Sequence, residues 1–195
     1  ARQRDLAPDR SRVLEHYRFG RAEFKRLVLR DGGLIEGCVI LPPDYTPKKR
    51  WPVLCAVYGG PGAQTVWNSW RGTSHLWHRL LAQEGIIVWA VDPRAAGPHG
   101  VRESWKTWKA LGVRELADIE ESLDGLAKSV SIDPKRVGIT GWSFGGTMSA
   151  FALTHSRRFR LGMAGAPVTD WRNYDAIYTE RYMGRPQDNP DGYAR

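Results

Sequence analysis

The sequence predicts an α/β fold in which a mostly parallel sheet is flanked by helices. Two short apolar runs without alternation, 51–58 and 86–91, are typical of strands that are covered on both faces. Segments with helical spacing alternate with such runs, and glycine- or proline-rich stretches separate them. Strands that alternate with helices favour a parallel sheet whose ligand site lies at the carboxyl ends of the strands.

The elements of the first half are bounded by turn signals. Asp31-Gly32-Gly33 separates two β-rich runs, 21–29 and 34–41, and predicts a hairpin. Gly59-Gly60-Pro61-Gly62 ends the buried strand 51–58. A helix is predicted over 74–83, since Gly85 follows it as a stop signal, and 86–91 is the next strand.

The second half repeats the alternation. Apolar residues three and four apart predict a helix within 112–130. Asp133-Pro134 should then separate that helix from a short strand at 136–141. A helix at 147–155 and a strand at 159–166 complete the pattern. Residues 1–20 are polar and without period, so we interpret them as a linker or the exit from an upstream domain, and 21–195 as one domain.

Gly141-Trp142-Ser143-Phe144-Gly145 is the most informative motif, a G-x-S-x-G between a predicted strand and a predicted helix. A sharp strand-to-helix turn lifts the serine hydroxyl above the sheet, and the flanking glycines allow the crowded backbone. The backbone N–H after the serine then points at the oxyanion that develops during attack. The motif predicts Ser143 as a nucleophile.

The sequence shows this nucleophile without its base. A serine nucleophile needs a general base and an orienting acid, and in folds with this turn both follow the serine. His155 follows it, but twelve residues along one helix separate the two by about 18 Å. The other histidines precede the serine: His16, His75, His78 and His99. We therefore expect the chain to stop before the fold does.

Composition and charge exclude several classes of protein. Of the 195 residues, 42% are hydrophobic and 26% charged, which excludes a disordered chain. The net charge of +8 is scattered among apolar residues without a recognition motif, so no nucleic acid is expected as a partner. No apolar run approaches the roughly 18 residues of a membrane span. Cys38 and Cys55 are predicted to be buried free thiols, with a disulfide between them as the alternative. Without a phosphate-binding loop or a metal-ligand cluster, no cofactor and no metal are expected.

The motifs resemble the catalytic α/β-hydrolase domain of the prolyl oligopeptidase family of serine peptidases, most closely its dipeptidyl peptidase IV branch. The resemblance runs from about Phe24 to Tyr193 and is carried by three segments: 57–62, 141–146 and, as the most specific, 171–184. It implies an α/β-hydrolase fold that is incomplete here and lacks the last strands. It also implies a β-propeller upstream, from which 1–20 would be the exit, and a triad Asp and His beyond Arg195.

The resemblance implies a role for each matching residue. Ser143 matches the nucleophile, and Phe144 matches the residue whose backbone N–H binds the oxyanion. Tyr58 matches the tyrosine whose hydroxyl is the second oxyanion donor. The matching substrate-binding residues are Tyr174 and Tyr178, the aromatic walls of the S1 pocket where a proline ring stacks, with Trp171, Val168 and Trp142 beside them.

Two details of the resemblance concern local conformation. On one helix, the four-residue spacing of Tyr174 and Tyr178 would place both rings on the same side. Ala95 replaces a glycine of the family's D-x-R-G-x-G pattern, which predicts a shifted turn after the second buried strand.

Together these implications predict a fragment of a serine exopeptidase that releases N-terminal dipeptides with Pro or Ala in the second position through an acyl-enzyme. Its partners would be peptide substrates and the missing propeller, with a homodimer left open. By itself the 195-residue chain is expected to be inactive, because the acid and the base are absent. The compartment is not determined by the sequence.

Two alternatives stay open. An acylaminoacyl peptidase, an oligopeptidase or a carboxylesterase could use the same fold with another substrate. A catalytically dead relative could bind a partner through a surface rich in tryptophan, of which the chain has nine.

Overall fold

The computed structural model describes residues 16–69 and 72–195, so most of the predicted linker at 1–20 lies outside the described residues. Within those ranges, six strands form one sheet: β1 (Ala22–Val28), β2 (Leu34–Ile40), β3 (Trp51–Ala56), β4 (Ile87–Asp92), β5 (Ile132–Trp142) and β6 (Leu161–Gly165). Their order across the sheet is β1-β2-β4-β3-β5-β6. The non-consecutive neighbours in this order mean that the chain crosses over between strands, as the predicted α/β class requires.

The sheet is mostly parallel, with an antiparallel edge. Strands β4, β3, β5 and β6 pair in parallel, whereas β2 pairs antiparallel with both β1 and β4. The short Asp31-Gly32-Gly33 turn accounts for the β1–β2 pair, since a tight turn joins only antiparallel neighbours. Because the parallel strands all end at one edge, the residues that follow β3, β4 and β5 lie near one another.

The helices cover both faces of the sheet. They are α1 (Thr73–Gln83), α2 (Val101–Ser104), α3 (Val113–Ala127), α4 (Phe144–His155), α5 (Ala176–Met183) and α6 (Pro190–Tyr193). Short 3-10 helices lie at Trp105–Thr107, Trp171–Asn173 and Pro186–Asp188. Helix α1 packs on β2 and β4, and α4 packs on β5 and β6. None of the helices in the described ranges is both long and apolar enough to cross a bilayer.

Strand β5 differs from its prediction. It begins at Ile132 and runs through Asp133-Pro134, which was expected to stand outside it. The pairing register jumps from Trp51 opposite Ile132 to Val53 opposite Val137. Pro134 has no N–H to give to a ladder, and it is tolerated because it lies in this bulge.

The two faces of the sheet have different cores. The larger core, on the face of α3 and α4, contains large buried side chains such as Trp89, Ile119 and Leu123. The face of α1 carries a small cluster around Ile40, Ala82 and Val88. Both cysteines are free: Cys55 is buried as predicted, whereas Cys38 is only half-buried. Burial raises the pKa of the Cys55 thiol to about 12, so this thiol is unreactive at neutral pH.

A buried arginine joins the first hairpin to the helical layer. Arg94, two residues after β4, has no exposed surface, and its Nε and Nη2 donate to the carboxylate of Asp118 on α3 at 2.9 Å. Its Nη1 also donates to Asp31 in the hairpin turn at 2.6 Å and to Glu103 on α2 at 3.2 Å. These hydrogen bonds hold the pKa of Asp31 well below its usual range. Removing Arg94 would leave Asp31 and Asp118 with Arg114, and Glu103 with Lys106, as remaining basic partners.

A second buried titratable group lies in the first turn of α3. Glu115 has no exposed surface, and its Oε2 accepts the N–H of the N-cap residue Gly112 at 2.9 Å. Among the described residues, its Oε1 has no hydrogen-bond partner. Burial raises the pKa of Glu115 to about 8, so the carboxyl is mainly protonated at neutral pH.

We predict that Arg94→Met destabilises the domain by about 3–5 kcal/mol, because the buried carboxylate of Asp118 loses the guanidinium at 2.9 Å and keeps the more distant Arg114 Nε at 3.2 Å. Urea unfolding followed by tryptophan fluorescence measures this change. Arg26→Met is the control: Arg26 pairs with Glu36 at the surface, with 70% of its side chain exposed, and such pairs contribute about 0–1 kcal/mol. An equal loss of unfolding free energy in the two variants would contradict a larger contribution of Arg94 to stability.

We predict that Glu115→Gln changes the pH dependence of stability. A carboxyl with a raised pKa holds a proton that the unfolded chain releases, so the free energy of unfolding falls as pH rises from 4.5 to about 8. Glutamine keeps the capping acceptor but does not titrate. The variant should therefore gain stability relative to the native chain across this window and lose no cap.

Urea midpoints at pH 5 and pH 8 measure that difference. Glu84→Gln, at an exposed position just after α1, is the control that should shift neither midpoint. A constant offset between the Glu115→Gln variant and the native chain at the two pH values would show that Glu115 titrates normally.

Candidate active site

Ser143 lies at a sharp turn between β5 and α4, as the motif predicts. It has φ 56° and ψ −119°, a conformation that is strained for a residue with a Cβ and that typically marks functional sites. Its N–H donates to Gly165 O at 2.9 Å, which ties the turn to the end of β6. A Cβ on Gly141 or Gly145 would lie within 2.3 Å of Val57 O, so the turn requires glycine on both sides of the serine.

Phe144 and Tyr58 lie next to each other beside this turn. Phe144 is the first residue of α4, where a backbone N–H has no partner inside the helix. Its ring is buried, and its centroid lies 6.2 Å from that of Tyr58. Tyr58 follows the end of β3, where Val57 N–H donates to Thr140 O at 2.9 Å. An N–H and a phenol, both potential donors, thus lie at one edge of the sheet.

A chain of aromatic rings leads from Phe144 to α5. The ring centroid of Trp171 lies 5.7 Å from that of Phe144 and 6.2 Å from that of Tyr178, on which it stacks. Tyr174 meets Tyr178 edge to face at 5.6 Å and Trp171 at 6.2 Å. These four rings, which we call the aromatic wall, pack in series from the residue after Ser143 to α5. Edge-to-face pairs of this kind stabilise a fixed arrangement of rings.

The aromatic wall is assembled differently from the expectation for one helix. Tyr174 has an extended backbone and precedes α5, and Asp175 caps the helix by accepting the Tyr178 N–H at 2.8 Å. The rings meet because the chain turns at the cap. Burial raises the pKa of Tyr178, and the neighbouring hydroxyls of Tyr182 and Tyr58 add to that rise, so Tyr178 keeps its proton at neutral pH.

Val168 and Trp142, also expected at the pocket, lie in different surroundings. Val168 is attached to α4, since its N–H donates to Thr147 Oγ1 at 2.8 Å. The exposed ring of Trp142 lies over Gly165 and lines an open cavity of about 800 Å³ with Trp77 on the α1 face. Trp142 is thus next to Ser143 in the sequence, but its ring does not join the aromatic wall.

No histidine completes the serine site within the described residues. All five histidines lie in those ranges, and none hydrogen-bonds to Ser143 Oγ. His155 is exposed, stacks on Phe151 at 3.9 Å and has its Nδ1 beside Phe151 O. Within the same ranges, no three His, Cys, Asp or Glu side chains are arranged to hold a metal ion.

Two residues near the wall were not predicted from the sequence. Tyr182 packs against Tyr178 with centroids 4.9 Å apart, and its place in the 174, 178, 182 series could have indicated it. The charge of Glu115 contributes to the raised pKa of Tyr178. No local signal distinguishes this buried glutamate from the other acidic residues of α3.

Comparison with known proteins agrees with this geometry. The family model described as "Prolyl oligopeptidase family" matches residues 73–195. A "Probable dipeptidyl-aminopeptidase B" from Fusarium vanettenii is 43% identical over 154 residues, which are 78% of this chain and 17% of the relative. A "Probable dipeptidyl peptidase 4" from Aspergillus clavatus is 37% identical over 185 residues, which are 93% of this chain and 24% of the relative.

The fold is also similar to that of a solved crystal structure. The crystal structure of Porphyromonas gingivalis dipeptidyl peptidase 4 superimposes with a TM-score of 0.86 and 34% identity, covering 93% of this chain and 26% of that one. The chain thus spans about a fifth to a quarter of the length of these proteins. Family model, relatives and fold agree, and the chain belongs to the prolyl oligopeptidase family of serine peptidases as a dipeptidyl peptidase IV-like domain.

Proposed function

We propose that this chain carries the nucleophile, the oxyanion donors and the S1 pocket of a dipeptidyl peptidase that cleaves after Pro or Ala in the second position. The observation that carries the proposal is the aromatic wall beside the serine turn. A proline ring is flat and apolar, and a pocket of stacked and edge-on rings fits it. The names of the relatives, dipeptidyl-aminopeptidase B and dipeptidyl peptidase 4, support the same reaction.

The reaction begins with attack by Ser143 Oγ on the carbonyl carbon of the second residue. The C–O bond forms as the hydroxyl proton passes to a general base, and the carbonyl oxygen takes the negative charge. The Phe144 N–H and the Tyr58 hydroxyl donate to this oxygen, which stabilises the tetrahedral intermediate more than the ground state. The C–N bond then breaks, the amine leaves with a proton, and water hydrolyses the acyl-enzyme to release the dipeptide.

In this proposal, residues beyond Arg195 supply the base and its orienting acid. It is supported by the lack of a hydrogen bond between Ser143 Oγ and any of the five histidines within the described ranges. The chain by itself should therefore be inactive or nearly so, because a site without its base keeps little activity. The tests below use the full-length product of the coding sequence.

Three substrates separate this proposal from its alternatives. Gly-Pro-p-nitroanilide reports a dipeptidyl peptidase, N-acetyl-Ala-p-nitroanilide an acylaminoacyl peptidase, and p-nitrophenyl acetate a general esterase. We expect turnover of the first substrate to exceed that of the other two. A preference for the blocked substrate or for the ester would replace the proposed substrate class while keeping Ser143 as nucleophile.

We predict that Ser143→Ala abolishes hydrolysis of Gly-Pro-p-nitroanilide. Tyr58→Phe should lower kcat by about 10²–10³-fold with little change in KM, because an oxyanion donor acts in the transition state. Tyr45→Phe is the control, since the Tyr45 hydroxyl accepts the Ser131 N–H away from the site. Full activity of the Ser143→Ala variant would reject the assignment of the nucleophile.

We predict that Tyr178→Ala lowers kcat/KM for Gly-Pro-p-nitroanilide by about 10- to 100-fold, because burying an aromatic side chain stabilises by about 1.5–3 kcal/mol. Hydrolysis of p-nitrophenyl acetate, which does not fill the pocket, should change much less. Tyr17→Ala removes a tyrosine that is 55% exposed and serves as the control. An equal loss on both substrates would assign Tyr178 to folding rather than to the S1 pocket.

A further inference from the structure

We propose that Asp92 and Thr65 are positioning residues that fix the Tyr58 ring by holding the loop after β3. This inference rests on the proposed function, in which Tyr58 donates to the oxyanion. Tyr58 begins the connection from β3, and residues 59–66, which we call the oxyanion loop, follow it. The loop contains Gly59-Gly60-Pro61-Gly62 and no helix or strand. Its conformation therefore depends on the few contacts that hold it.

Asp92 provides the strongest of these contacts. It is the last residue of β4 and is 1% exposed. Its carboxylate accepts the Thr65 N–H at 3.0 Å, the Val66 N–H at 2.8 Å and the Thr65 hydroxyl at 2.5 Å. Three donors that converge on one buried carboxylate determine where the far end of the loop lies. Burial raises the pKa of Asp92, and the hydrogen bonds from Thr65 and Val66 oppose that rise.

The middle of the oxyanion loop is held by the same segment. Gly62 N–H donates to Ala95 O at 2.7 Å, three residues beyond Asp92. Ala95 is fully buried and has no positive φ, so alanine fits here without strain where a glycine was expected. The segment Asp92–Ala95 is itself fixed by the ion pair between Arg94 and Asp118. The oxyanion loop is thus attached at two points to a rigid support.

The oxyanion loop in turn limits the Tyr58 ring. A Cβ on Gly60 would lie 2.7 Å from Tyr58 Cε1, so the backbone of the loop lies directly against one edge of the ring. Phe144 lies on another side at 6.2 Å between centroids. If the loop moves away, the ring loses one of these two contacts and the hydroxyl leaves its place. A displacement of about 1 Å in such a group costs up to 10²-fold in rate.

The test is a double-mutant cycle on the full-length enzyme with Gly-Pro-p-nitroanilide. Asp92→Asn keeps the shape of the side chain but replaces one acceptor oxygen by an NH₂ group that faces donors. We expect kcat to fall at least about tenfold with KM within about twofold. In the background of Tyr58→Phe, where no hydroxyl remains to be positioned, the same substitution should change kcat less than about twofold.

Thr65→Val is the second variant, and it keeps the test decisive if the Asp92→Asn variant does not fold. It removes the hydroxyl that bonds to Asp92 while preserving volume and both backbone donors. We expect a smaller fall in kcat, about 3- to 10-fold. In the background of Tyr58→Phe, the same substitution should again have little effect on kcat. Thr154→Val is the matched control. The exposed Thr154 hydroxyl makes no contact with the oxyanion loop and donates to carbonyls of its own helix.

The possible outcomes separate this inference from the proposed function. If Asp92→Asn and Thr65→Val lower kcat equally with and without the Tyr58 hydroxyl, the two residues act on stability and not on Tyr58, and the inference is wrong. If both variants keep the native kcat while Ser143→Ala is inactive, the inference fails and the proposed function stands. If Ser143→Ala is active, the proposed function itself has failed.

Discussion

The buried guanidinium of Arg94 is the interaction on which the arrangement of the domain depends. A charge without access to water requires partners that surround it, and this one draws them from three separate parts of the chain. Asp31 comes from the turn of the first hairpin, Glu103 from α2 and Asp118 from α3. Each of these segments must reach its place for the charge to be compensated. The end of β4 is thereby fixed, and so is everything that is attached to it.

Two oppositely charged residues at the end of β4 hold different parts of the structure. Asp92 faces the loop after β3, and Arg94, two residues later, faces α3. The first turn of helix α3 contains Glu115, whose charge raises the pKa of Tyr178. Through Arg94, helix α3 is therefore linked to the segment that holds the loop after β3. This explains why a site built from distant segments can have a single geometry.

The sequence predicts those features whose signals are local. Glycines mark the ends of the strands and the turn at Ser143, so the hairpin, the parallel strands and the serine turn follow from spacing alone. Pro134 is misleading as a boundary, because the bulge that accommodates it depends on pairing with β3. The extended backbone of Tyr174 and the position of the Trp142 ring depend on contacts that are distant in sequence. The same holds for Asp92 and Glu115. Asp92 interacts with a backbone N–H 26 residues away, and Glu115 interacts with Tyr178 on another helix.

The continuous contact from Phe144 through Trp171 to Tyr178 has an evolutionary consequence. Phe144, which follows the proposed nucleophile, and the rings that we propose select the substrate belong to one packed unit. A change of ring size that widens the pocket also shifts the helix that presents Ser143. If the proposed roles hold, selectivity and turnover are inherited together, and a change of substrate has to begin outside the packed rings. Ile177, which is 88% exposed and lies outside this unit, is a position where such a change would leave the packing intact.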